Sequence, residues 1–199
     1  MTVWEQHLKP GDLFIDVGAN VGSYTIWAIE MGARVIAVEP DAASIVALKQ
    51  NLALNDYEAE VCEAALADKA GSGRLTAGLG VLNHLVADDS SDQARTVRTT
   101  TLDELIGDRV ASGVKIDVEG AEGLVLEGAR RALREQRIRL LQLEWNPQSD
   151  ANFGERREDT ATKLDSFGYE LCRPDDRGVL RVIDYPGPGW DVFARPVMR

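Results

Sequence analysis

Lys115, Asp117 and Glu119 alternate where an apolar run ends, in the string VKIDVEGAEG. Alternate residues share one face while the chain stays extended. A central parallel strand is normally apolar throughout, and burying charges there is costly unless they are paired. Carboxylates so placed are candidates to take a proton from a reacting group or to orient it. Lys115 either orients Asp117, contacts a substrate, or makes a purely structural ion pair. Glu119 and Glu122 open what reads as the next helix, where a carboxylate also favours the positive helix end. Glu144 closes a further apolar run in LQLEWNP. Carboxylates after two neighbouring strands could converge on Mg²⁺, an oxygen-preferring ion, although no compact ligand motif is present. His84, in LNHL, has a side chain suited to act as a base; a plain surface histidine is the alternative.

A second group is built for binding. The run Leu13–Val17 contains Asp16 and leads into Gly18-Ala19-Asn20-Val21-Gly22, and a later run, Val35–Val38, ends on Glu39. Strand, glycine-rich turn, helix and a strand closed by an acid outline the nucleotide-binding half of a doubly wound sheet. Gly and Asn accept the positive φ that a tight turn needs, and Glu39 lies where a carboxylate can accept ribose hydroxyls. Ser23 follows Gly22, so the third glycine of a dinucleotide fingerprint is missing and a NAD-dependent oxidoreductase is disfavoured. The pattern D-x-G-x-N-x-G resembles motif I of class I S-adenosylmethionine methyltransferases. That resemblance implies a turn approached by the methionine and ribose of the cofactor. Asp68, in ADKAGSG, is a candidate for the adenine pocket or a turn-forming Asp.

The elements that must position these groups alternate between strand and helix signals. Strands are expected at Leu13–Val17, Arg34–Glu39, Glu58–Glu63, Val114–Val118 and Ile138–Glu144, with two more at Tyr169–Arg173 and Trp190–Ala194. Helices are expected at Gly22–Met31, Ala42–Leu54 with Asp41 as cap, Ala121–Gln136 and Glu155–Ser166, and TLDEL from Thr101 has a capping-box arrangement. Such an order implies a single α/β domain over the chain. It is a Rossmann-like, doubly wound and mostly parallel sheet of seven strands with an antiparallel strand at the C-terminal end. Asp68–Thr100 and Pro174–Gly189 read as irregular, with Leu79–Val86 a possible short strand. Both are candidate rims of an active site, as is Trp145–Pro147.

The longer motifs resemble the FkbM family of S-adenosylmethionine-dependent methyltransferases. They are DVGANVGSYT at Asp16–Thr25, VEP at Val38–Pro40, AALAD at Ala64–Asp68, TTLDEL at Thr100–Leu105 and KIDVEGAEGLVLEGA at Lys115–Ala129. The resemblance implies S-adenosylmethionine as cofactor and methyl transfer to a hydroxyl of a sugar, polyketide or related small molecule. An N-methyltransferase, or a cofactor-binding module that regulates a partner without catalysis, stays open. Little room precedes Pro10 for an added substrate-binding domain.

Composition narrows the partners. The chain has 199 residues and a net charge of −11, which argues against a nucleic-acid backbone as partner. A local basic patch around Arg130, Arg131, Arg134, Arg137 and Arg139 is compatible with that charge. The chain contains no apolar stretch long enough for a membrane span, and MTVWEQHLKPGD lacks the pattern of a signal peptide. Cys62 and Cys172 read as buried free thiols of a reducing compartment, so a cytoplasmic location is expected. The oligomeric state is open.

Overall fold

The computed structural model describes residues 2–76, 85–86, 94–145, 156–184 and 191–197. The first half alternates α1 (Thr2–His7), β1 (Leu13–Val17), α2 (Ser23–Glu30), β2 (Arg34–Val38), α3 (Ala42–Leu54) and β3 (Glu60–Cys62). After an intervening segment come α4 (Leu102–Ile106), β8 (Gly113–Ile116), α5 (Glu122–Glu127), α6 (Arg130–Arg134), β9 (Leu141–Glu144) and α7 (Arg157–Ser166). The described chain closes with β10 (Tyr169–Pro174), β11 (Leu180–Val182) and β12 (Asp191–Pro196). The main sheet has the order β11-β10-β12-β9-β8-β1-β2-β3. The strands β3, β2, β1, β8 and β9 pair in parallel, and β12 runs antiparallel to β9. Strand order reverses between β1 and β8, which opens a crevice at their carboxyl ends.

The sheet has eight strands, one more than expected. The extra one is β11, inside the Pro174–Gly189 region read as loop. Asp175 accepts from the Arg177 and Val179 amides at 3.0 Å each. That turn folds Leu180–Val182 back on Cys172–Pro174.

A second correction concerns Asp68–Thr100. It contains β5 (Gly71–Thr76), β6 (Leu85–Val86) and β7 (Ala94–Thr100), which with β4 (Ala65–Leu66) form a separate sheet of order β4-β7-β5-β6. GSGRLT and ARTVRTT carry few apolar residues, so their periodicity is faint. They are held by mutual pairing and by a small apolar contact of Leu75, Ala65, Ala67 and Ala121. Of the expected strand Leu79–Val86, residues 79–84 lie outside the described residues.

The expected helix Ala121–Gln136 is two helices, α5 and α6. Gly128, between them, sits so close to the Ala67 carbonyl that a Cβ would come within 2.1 Å of its oxygen. Its own carbonyl is taken by the Asp103 amide at 2.9 Å. The Asp103 carboxylate then accepts from the Arg131 and Ala132 amides at 2.8 Å, capping α6 from another helix. In TLDEL, Thr101 accepts from the Glu104 amide as the motif predicts, while the Glu104 carboxylate takes the Thr100 hydroxyl instead. Helix α1 has no clear sequence signal. It forms because Trp4, fully buried, packs edge-on to Phe14 and Phe193 and donates to Gln142 Oε1 at 2.5 Å.

The strands turn alternate residues to two apolar layers. Leu13, Ile15, Val17, Val114, Ile116, Leu141 and Leu143 pack with α4, α5, α6 and α7. Phe14 packs with α1 and α2, and α3 covers Ala19 and Ala37 through Leu48 and Leu52. On the Phe14 side three polar residues lie in adjacent register, Asp16 opposite Lys115 and Lys115 opposite Gln142. Trp145, a candidate rim residue, belongs instead to the core. No helix among the described residues is long and apolar enough to cross a membrane. Because a backbone oxygen faces Gly128, Gly128→Ala is expected to lower unfolding free energy by about 1–3 kcal/mol. Urea denaturation with an unchanged m-value checks this.

Candidate functional site

A cavity of about 330 Å³ opens at the strand-order reversal, and its lining includes Gly18–Val21, Glu39–Asp41, Lys115 and Asp117–Glu119. The turn after β1 forms its floor. Gly18 adopts φ 77° and Asn20 φ 52°. The Gly18 and Ala19 amides both donate to the Val38 carbonyl at 3.0 Å. A Cβ on Gly18 would lie 1.9 Å from the Asp117 carbonyl oxygen, so only glycine lets β1 and β8 meet there. Gly22, at φ 94°, lies beneath Leu48, where a Cβ would come within 2.4 Å of Cδ1. Its role is to let α2 and α3 pack; Gly22 is absent from the cavity lining.

Glu39 stands just past β2. Its two carboxylate oxygens accept separately, Oε2 from the Asn20 amide at 2.9 Å and Oε1 from the Asp41 amide at 2.8 Å. A carboxylate has further lone pairs, so Glu39 is anchored to both lips of the cavity and can still accept from a ligand. Burial raises its pKa despite those two amides. Asp16 is fully enclosed. Oδ2 accepts from the Thr25 hydroxyl at 2.7 Å, whereas Oδ1 has no hydrogen-bond partner among the described residues. The buried Asn20 Oδ1 is likewise unpartnered there. Asp68 is exposed and outside the lining; Ala64, Ala65 and Leu66 form that wall. Of the two readings of Asp68, pocket residue or turn-forming Asp, its exposed place outside the lining agrees with the second.

Next to Asp16 in register, the Lys115 ammonium is the hub. It lies 2.9 Å from Asp117 Oδ2, 4.0 Å from Asp16 Oδ1 and 4.7 Å from the centroid of the Tyr24 ring. Burial works to lower its pKa, but Asp16 and Asp117 outweigh this and leave it raised, so Lys115 is a cation and not a base. Burial pushes Asp16 up, with Lys115 and Thr25 acting against it. Asp117, with a side chain 39% exposed, is the member of this group that an incoming molecule can reach. Tyr24 accepts from Gln142 Nε2 at 3.3 Å, which ties the cavity wall through Gln142 to Trp4.

The expected extended run through Glu119 stops at Ile116. Glu119 turns into the left-handed region at φ 55° and Gly120 at φ 106°. The turn nevertheless returns Glu119 toward Asp117, and carboxylate oxygens of Asp117, Glu119 and Glu144 lie within 4.8 Å of one another. Asp191 sits opposite Glu144 in register, adding an acid that sequence reasoning missed. The turn is held by Glu122 Oε1, which accepts from the Val118 and Gly120 amides at 3.2 and 3.4 Å. His84 lies outside the described residues. Tyr24, Thr25 and Asp41 were also missed as site residues, although the first two stand inside the DVGANVGSYT string.

An open sheet with this strand order, a glycine turn at the reversal and an acid after the second strand define the Rossmann-like methyltransferase fold. The chain belongs to the FkbM methyltransferase family, whose domain matches residues 16–171. A 31-O-demethyl-FK506 methyltransferase from Streptomyces tacrolimicus is 37% identical over 71 residues, 35% of this chain and 27% of that protein. The match thus spans about a quarter of that relative. A rRNA methylase structure from Streptococcus thermophilus aligns with a TM-score of 0.58 at 13% identity, covering 98% of this chain and 93% of the other. The magnesium protoporphyrin IX methyltransferase of Synechocystis PCC 6803, solved with bound SAM, aligns at 0.57 and 15% identity, covering 98% and 76%.

Burial outweighs the backbone amides on Glu122 and raises its pKa to about 7 from 4.5. A raised carboxyl binds its proton more tightly folded than unfolded. Stability from this group is therefore full below about pH 4.5 and is lost as pH climbs to about 7, by roughly 3 kcal/mol. Glu122→Gln should flatten the stability profile across that window. Chemical denaturation of both proteins at several pH values measures it.

Proposed function

We propose that the protein transfers a methyl group from S-adenosylmethionine to a hydroxyl of a small molecule, such as a sugar or polyketide-type metabolite. The observation that carries this reading is one cavity lined by Glu39, the glycine turn and the Lys115–Asp117 pair together. The cavity fits such a ligand by two features of the chain: the Glu39 carboxylate, which keeps lone pairs beyond those taken by the Asn20 and Asp41 amides, and the buried Asn20 Oδ1, which has no hydrogen-bond partner among the described residues. Glu39 would accept the ribose hydroxyls, the Gly18–Asn20 backbone would lie against the ligand, and Asp16 and Asn20 would face its polar groups. The bound cofactor supplies a methyl on a sulfonium, and its transfer to oxygen releases the hydroxyl proton.

Asp117 is the group we assign to accept that proton. Lys115 donates to that carboxylate at 2.9 Å and holds it in place. Glu119 and Glu144 complete an acidic rim, which disfavours an anionic acceptor and suits a neutral, hydroxylated one. Of the arginines after α5, Arg130, Arg131, Arg134 and Arg139 are exposed, and several are engaged by neighbours within the chain. Arg131 and Arg137 bond to the Gly107 carbonyl, Arg130 pairs with Glu127, and Arg130 and Arg134 lie over Phe167. The same three rim carboxylates suit a hard cation such as Mg²⁺; loss of methyl transfer on adding EDTA, restored by Mg²⁺, would support a metal in the reaction.

Glu39→Ala is expected to weaken binding of S-adenosylmethionine and S-adenosylhomocysteine by about 1–3 kcal/mol. Unchanged calorimetric affinity in a folded variant would sink the cofactor site. Asp117→Asn should cut turnover by about 10²–10⁴-fold with little change in cofactor affinity. The assay follows isotope-labelled methyl groups into a pool of hydroxylated metabolites and, separately, into RNA. Label entering RNA alone would overturn the small-molecule reading.

A further inference from the structure

Arg95, on β7 of the second sheet, reaches across to Asp41 at the lip of the cavity and pairs with Oδ2 of its carboxylate. The two residues are 54 positions apart, and no sequence motif joins them. The other oxygen of Asp41 is occupied. Oδ1 accepts from the Ala43 and Ser44 amides at 2.9 Å and caps α3. The Asp41 backbone amide donates to Glu39 Oε1 at 2.8 Å, and Glu39 Oε2 accepts from the Asn20 amide at 2.9 Å. A continuous chain of contacts thus runs from Arg95 through Asp41 and Glu39 to the glycine turn. Asp41, Glu39 and Asn20 all line the cavity; Arg95 does not.

The pair also has an electrostatic effect. The Asp41 charge acts to raise the Glu39 carboxyl, and an adjacent guanidinium offsets that repulsion. For Asp41 itself, partial burial works upward. The Ser44 amide, Arg95 and the Ala43 amide outweigh it and hold the carboxyl below its usual range. An ionised Asp41 fixed in one rotamer keeps its amide aimed at Glu39.

We propose that Arg95 is a positioning residue for the cofactor, acting through Asp41 to fix Glu39 in the arrangement that accepts the ribose hydroxyls. The second sheet is then a working part of the cofactor site, clamping its lip from outside. This inference rests on the cofactor reading given above.

The test is calorimetric titration of S-adenosylhomocysteine into the whole chain, which needs no acceptor. Arg95→Ala should raise Kd by about 2–5-fold at low salt, the range of a partly exposed ion pair. The loss should shrink as salt rises, because the pair is screened. Arg95→Lys should recover part of it. The discriminating readout is the Glu39→Ala background, in which Arg95→Ala should add nothing further. A merely structural role would lower the melting temperature and leave this non-additivity absent. If Glu39→Ala weakens binding but Arg95→Ala does not, or if the two losses simply add, the positioning role is overturned and the cofactor reading survives. If Glu39→Ala itself has no effect, the cofactor reading fails. Asp41→Asn keeps the cap and removes the charge. It should reproduce the Arg95→Ala loss with α3 intact by circular dichroism; full affinity in Asp41→Asn would equally overturn the inference.

Discussion

The structure is organised around one buried ammonium. Lys115 stands in the middle of a parallel sheet, with Asp16 beside it in register and Asp117 two residues on. A lone lysine there would be expelled or neutralised by desolvation. With two carboxylates and the face of Tyr24 around it, it stays charged. The surroundings follow from that requirement. Thr25 at the start of α2 satisfies one oxygen of Asp16, and Gln142 spans from Tyr24 to Trp4 and so ties α1 to the same polar row. The apolar layers pack against a sheet whose polar row of Asp16, Lys115 and Gln142 reaches the cavity through Asp16 and Lys115.

Close backbone approach is the second constraint, and it is met by two glycines that serve different ends. Gly18 lets the turn after β1 touch the backbone after β8, which closes the floor of the cavity. Gly128 lets the start of the second sheet reach the helix layer, and the helix breaks there as a consequence. The break frees the first amides of α6, and Asp103 takes them. One tight contact therefore docks the second sheet and sets the helix boundaries. The same sheet then reaches the cavity lip through Arg95.

Much of this was legible in the residues. The runs at Leu13–Val17, Arg34–Glu39, Val114–Val118 and Ile138–Glu144 are apolar enough to demand burial, and the parallel strands β1, β2, β8 and β9 form over most of their length. Gly18, Asn20 and Gly22 announced positive φ, and all three adopt it. Asp41 announced a cap and makes one. The K-x-D-x-E string marked the acids that converge, although Glu119 arrives by a left-handed turn and not by strand alternation.

What the sequence by itself determined is what short-range chemistry controls: strand and helix types, turn conformations, caps, and the order of elements that makes a doubly wound sheet with its crevice at β1 and β8. Only the tertiary structure decided contacts between segments far apart in the chain. The polar strands β5 and β7 have no burial signal of their own and exist through pairing with each other. Helix α1 is fixed by Trp4 filling space beside Phe14 and Phe193. Trp145 is core and Asp68 is surface because of how strands β9 and β4 meet their neighbours, which local pattern does not encode. The Arg95–Asp41 and Lys115–Asp16 pairs are likewise invisible along the chain. A charge shows in the sequence; the partner that makes its position tolerable is supplied by the fold.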